Sequence, residues 1–87
     1  MKNTETADTV LNVLVYRDSG RYFAHCLECD LLGDGKTWQT AVKRLIGVIA
    51  TQVEYLQERG CPGKFYHPAP EQYWRKLRNA RPIAIIG

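Results

Sequence analysis

The stretch from Thr37 to Arg59 constrains this chain more than any other. Apolar side chains recur at Trp38, Ala41, Val42, Leu45, Ile46, Ile49, Val53 and Leu56, the i, i+3, i+4, i+7 spacing of one helix face. Lys43, Arg44, Gln52, Gln57, Glu58 and Arg59 lie mostly off that face. Thr37 can cap the start, its hydroxyl accepting a bond from a first-turn N–H. Gly60 and then Cys61-Pro62 supply a left-handed stop and a residue that cannot continue the helix. Each large side chain fully buried along such a stripe contributes about 1.5–3 kcal/mol, so the stripe demands a cover. A chain of 87 residues has room for one small domain to supply it.

The segments on either side suggest a sheet. Residues 1–9 read as a flexible N-terminal tail and 10–87 as a single domain. Val10 to Arg17 has strand composition, and Asp18-Ser19-Gly20 is hairpin-turn chemistry. Arg21 to Leu27 predicts a second strand, Glu28-Cys29-Asp30 a wider turn, and Leu31 to Lys36 a third strand. Gly33 and Gly35 share a face of that strand, where glycine marks a bulge or a close backbone approach. After the helix, residues 61–68 read as a loop pinned by Phe65 and Tyr66. Pro70 and Glu71 suit the start of a short second helix, with Tyr73, Trp74 and Leu77 docked. Arg81 to Ile86 reads as a last strand, with Pro82 at its start. The expected fold is α+β, β-β-β-α-(short α)-β, with the helices on one face. A right-handed crossover would lay the fourth strand parallel to the first, giving the order 3-2-1-4.

Composition narrows the function classes. There is no repeat or low-complexity tract, and no apolar run approaches the ~20 residues of a membrane span. The polar opening Met1–Asp8 is not a signal peptide, so the expected location is the cytoplasm and no membrane partner is expected. Three cysteines, Cys26, Cys29 and Cys61, are an odd number for a disulfide framework. The net charge is +3, but residues 1–40 carry −2 and residues 41–87 carry +5. Arg75, Lys76, Arg78 and Arg81, beside Tyr73 and Trp74, form a candidate nucleic-acid patch. The competing reading is the solvated outer face of a docking helix.

Candidate chemistry weighs less than packing. Cys26-x-x-Cys29 with Cys61 and His67 has the donor types of a zinc site, but lacks a second closely spaced pair; buried structural thiols are expected instead. Glu28, Asp30 and Asp34 flank a turn rather than converge in a pocket. His25 lacks a nucleophile and an orienting acid, because Cys26, its sequence neighbour, points to the opposite face of the strand. The chain therefore reads as non-enzymatic, with no cofactor and no metal.

Tyr22-Phe23-Ala24-His25-Cys26-Leu27-Glu28, then Asp30-Leu31, then Gly33-Asp34-Gly35-Lys36-Thr37, followed by a helix opening Thr37-x-x-x-Ala41, resembles the HicB antitoxin family over roughly residues 10–59. The resemblance implies a partial ribonuclease H-like domain without catalytic carboxylates. It also implies a partner, a HicA-like RNA-cleaving toxin neutralised by steric cover, and assembly as a homo-oligomer, dimer or tetramer. Two departures stand out. The residues after the helix leave no room for the DNA-binding segment such antitoxins often carry, so DNA binding is not expected. Thr40 stands where the family often has the Glu of a capping box.

The sheet offers the surface for such a partner. Leu11, Val13, Val15, Tyr22, Ala24 and Cys26 alternate onto the face assigned to the helix. Asn12, Leu14, Tyr16, Phe23, His25 and Leu27 then occupy the other face, which is too apolar to be bare. Either another chain binds there or residues 61–81 fold back over it. Three function classes remain: an antitoxin-like interaction domain, a stand-alone oligomeric HicB-like protein, and a weak RNA-binding protein using the basic C-terminal half.

Overall fold

The computed structural model describes residues 11–80. The expected tail at 1–9, the start of the first strand at Val10, and Arg81 with the strand expected at Arg81–Ile86 lie outside the described residues. Three strands, β1 (Val13–Asp18), β2 (Arg21–Cys26) and β3 (Leu31–Gly35), precede a long helix, α1 (Trp38–Glu58), a 3-10 turn at Pro62–Phe65 and a short helix, α2 (Glu71–Asn79). The sheet is antiparallel in the order β1-β2-β3.

Local chemistry accounts for each boundary. Asp18 pairs with Arg21 across a two-residue turn in which Ser19 and Gly20 both have positive φ, 54° and 79°. That is the primed turn whose twist suits a hairpin. Thr37 caps α1, its side chain accepting the Thr40 N–H at 3.1 Å. The register aligns Val15, Ala24 and Gly33 across the sheet, and Arg17, Tyr22 and Gly35 beside them. Bare backbone at Gly33 and Gly35 lets α1 settle directly over β3. A Cβ on Gly33 would stand 2.8 Å from Leu45 Cα, and one on Gly35 would stand 2.7 Å from Thr40 Cγ2. The core on this side is Ala24, Cys26, Cys29, Ala41 and Leu45, with Leu11, Val15, Tyr22, Leu31, Val42, Ile49 and Phe65 packed against it.

The expected fold needs correction. Among the described residues there is no fourth strand parallel to the first. The order β1-β2-β3 keeps the 3-2-1 part of the expected 3-2-1-4 without the fourth strand, and the element sequence is β-β-β-α-α. The helices are also not confined to one face. After the 3-10 turn the chain rounds the end of the sheet, where the His67 N–H donates to the Glu28 carbonyl at 2.9 Å and the Ala69 N–H to the Leu27 carbonyl at 2.8 Å. Those two bonds carry α2 to the face opposite α1, where Ala69 joins Leu14 and Leu27 in a second small core. A one-sided crossover needs both helices on the same face, and this backbone pairing takes the chain around instead. In the loop, Phe65 packs on the core, but Tyr66 is exposed and pins nothing.

Candidate partner-binding surface

Alternation along β1 and β2 places Leu14, Tyr16, Phe23 and His25 on the face away from α1, and the register adds Leu32 opposite His25 and Asp34 opposite Phe23. The face is not bare. The segment Ala69–Leu77 lies on part of it, with Tyr73, Trp74 and Leu77 packed around Leu14, Leu27 and Ala69. Trp74 Nε1 donates to the Ala69 carbonyl at 3.0 Å, which satisfies the indole as it packs. Of the six residues expected to meet a partner, Leu14, His25 and Leu27 are buried by the chain itself. Asn12, Tyr16 and Phe23 stay half-exposed.

The Leu27–Asp30 turn ties this end of the molecule together. Asn12 donates through its backbone N–H to Glu28 Oε1 at 2.7 Å and through its side-chain amide to Glu28 Oε2 at 2.6 Å. The Leu27 N–H returns a bond to the Asn12 carbonyl at 2.9 Å. Asn12 is thus a fastener for β1. His25 Nε2 lies 2.6 Å from Asp30 Oδ1, and Asp30 is held with φ 55°. Tyr73 meets the imidazole edge-on, ring centroids 4.7 Å apart. His25 Nδ1 is buried with no partner among the described residues. The imidazole is buried while the Asp30 side chain is 35% exposed, so the pair joins the turn to α2 with only its carboxylate open to solvent.

Two of the cysteines, Cys26 and Cys29, sit in the α1-side core. Cys26 and Cys29 are free and buried, and Cys61 is free and half-buried. Burial pushes the Cys29 thiol up to about 12, reinforced by its hydrogen bond with Cys26. A thiol held so firmly protonated is a poor metal ligand and a poor nucleophile. Among the described residues no three His, Cys, Asp or Glu side chains gather as a metal site.

Of the basic patch, Lys76 and Arg78 are engaged within the chain, Arg75 is exposed, and Arg81 lies outside the described residues. Lys76 Nζ lies 5.7 Å from the ring centres of both Tyr16 and Tyr73, a cation–π arrangement. Arg78 donates to Glu71 Oε2 at 2.7 Å, which holds the Glu71 carboxyl below its usual range. Tyr16 stacks on Phe23 with ring centres 5.5 Å apart. Burial, then the nearby Tyr73 and Asp18, push the Tyr16 hydroxyl up.

Exposed large apolar side chains include Ile46, on the stripe expected to be covered, at 62%, and Tyr66 at 65%; others lie along β3 and α1. Leu32 is 46% exposed, Val48 39% and Tyr55 48%. Val48 and Tyr55 are seven residues apart and so share a helix face. Between strand and helix runs a groove of about 600 Å³ lined by Leu32, Gly33, Asp34, Arg44, Val48 and Gln52, with Gly47 and Thr51 completing the wall. Sequence reasoning missed this surface, because Leu31-Leu32 reads as a short apolar pair with nothing to show that Leu32 stays exposed. The one available signal was Gly47, a glycine in mid-helix.

No protein-family model matches the chain, and neither a curated protein nor a solved structure does. Among the described residues, no helix is long and apolar enough to cross a membrane.

Proposed function

We propose that the chain is a small non-enzymatic protein-interaction domain of the HicB-antitoxin kind, acting by steric cover of an RNA-cleaving toxin. The observation that carries this reading is the groove beside β3, with the exposed Leu32 and Val48 in its lining. Exposed apolar side chains beside an outer strand are what a binding domain presents. The Tyr22–Thr37 resemblance supplies the class of partner. The underside of the sheet also contributes the half-exposed Tyr16 and Phe23, on the same face as Leu32 by register, while α2 packs over Leu14 and Leu27.

The test is direct. A small RNA-cleaving protein encoded beside this gene is mixed with the chain at equal molarity, and hydrolysis of a labelled RNA is followed. Cleavage should stop, and Leu32→Glu should restore it while leaving the circular dichroism spectrum unchanged. Undiminished cleavage by the mixture would overturn the reading.

A further inference from the structure

We infer that the groove between β3 and α1 takes an extended polypeptide segment carrying a carboxylate, added as a strand along β3. This deepens the interaction-domain reading and rests on it. Among the described residues β3 is an outer strand, and an outer strand has backbone donors and acceptors directed away from the sheet. Strand addition uses those groups for affinity and side-chain sockets for selection.

Two features of α1 point to the occupant. Gly47 interrupts the helix where a Cβ would meet nothing within 4 Å. Packing within the described residues therefore gives no reason for the poorest helix former after proline. Gly47 lines the groove beside Val48, and the space its absent side chain leaves is open. The Thr51 hydroxyl is occupied with the Gly47 carbonyl at 3.0 Å, so it does not compete for that space.

The charge selects as well. Asp34 Oδ2 accepts from Arg21 Nε at 3.1 Å and from its terminal nitrogen at 2.8 Å. Arg44 approaches Asp34 Oδ1 only to 3.8 Å and is more than half exposed. One carboxylate shared between two guanidiniums leaves positive charge at the groove, complementary to an acidic residue.

A second copy of the chain does not fit as the occupant. Gly33 and Gly35 put α1 directly above β3, and a copy would bring its own α1 above its own β3. Strands pair about 4.8 Å apart, whereas packed helices need roughly 8–10 Å. A segment without a helix above it avoids that clash.

The probe is an acetylated, amidated hexapeptide, Val-Thr-Val-Thr-Val-Glu, titrated into the ¹⁵N-labelled full chain. Saturable shifts should concentrate in the amides of Leu31–Gly35 and Arg44–Gln52. Methylating alternate peptide nitrogens should abolish them, and replacing Glu by Lys should weaken binding at least fivefold. Gly47→Leu, which favours the helix, should raise thermal stability or leave it unchanged while weakening binding tenfold or more. Arg44→Glu should reverse the preference between the Glu and Lys peptides. Shifts elsewhere, equal binding of the methylated peptide, an unaffected Gly47→Leu variant, or β3 edge amides already protected from exchange in the free chain would each overturn the inference. No nuclease is present in this titration, so its failure is separable from a failure to inhibit RNA cleavage.

Discussion

Gly33 lies directly beneath Leu45. A methyl group on Gly33 would stand 2.5 Å from the Ala41 carbonyl oxygen and 2.8 Å from Leu45 Cα. Both neighbours are helix backbone, which cannot swing aside as a side-chain end can. Gly33→Ala must therefore lift α1 off β3 or displace the strand. Overpacking of this kind costs about 1–3 kcal/mol, and the rigid neighbours place this case at the upper end. Urea denaturation should show the midpoint falling with little change in slope. An unchanged midpoint would show that the helix does not rest on this glycine.

The start of α1 gives a milder test. Thr37 Oγ1 accepts the Thr40 N–H at 3.1 Å and donates to the Thr40 hydroxyl at 3.0 Å. Thr37→Ala removes the cap and should cost about 1 kcal/mol, while Thr37→Ser should retain most of it. The two variants compared by thermal unfolding should separate by several degrees.

The parts legible in sequence are those with a side-chain period or a steric requirement. The α1 stripe, the Asp18-Ser19-Gly20 turn and the bare Gly33-x-Gly35 face each record a local constraint. So does the inward set Tyr73, Trp74 and Leu77. The route to the opposite face was not legible, because it rests on backbone bonds from His67 and Ala69 to Glu28 and Leu27. Backbone pairing leaves no mark on residue type. The β3 groove was hidden for another reason, since its lining draws short pieces from a strand and a helix, residues 32–34 and 44–52, that are distant in sequence. Of the two outcomes left open for the sheet underside, a partner chain or residues 61–81 folding back, the second is seen over Leu14 and Leu27.

The docking of α2 depends on Leu27, which is fully buried between the sheet and Ala69. Leu27→Ala should cost about 2–5 kcal/mol in global stability. Its distinctive signature is local. Trp74 should lose its shielded environment, so its emission should shift to the red in a Trp38→Phe background. Leu45→Ala, on the other face, should destabilise comparably without that shift before unfolding. Identical spectral behaviour in the two variants would mean that the second core does not hold α2.

The Cys29 thiol links stability to alkaline pH. Its pKa is pushed up from the ordinary thiol value of about 9 to about 12, chiefly by burial and then by its bond with Cys26. The folded chain keeps the proton more tightly than the unfolded one. The stabilising contribution is therefore complete below pH 9 and declines as pH rises from about 9 to 12, because the unfolded state gains by ionising first. Cys29→Ala should flatten that part of the stability profile, measured by urea midpoints between pH 8 and 11. Iodoacetamide at pH 8 should label the half-buried Cys61 first, and should reach Cys26 and Cys29 only as the chain unfolds. Rapid native labelling of Cys29 would show the thiol to be open to solvent, and the alkaline loss of stability would then have to come from another group.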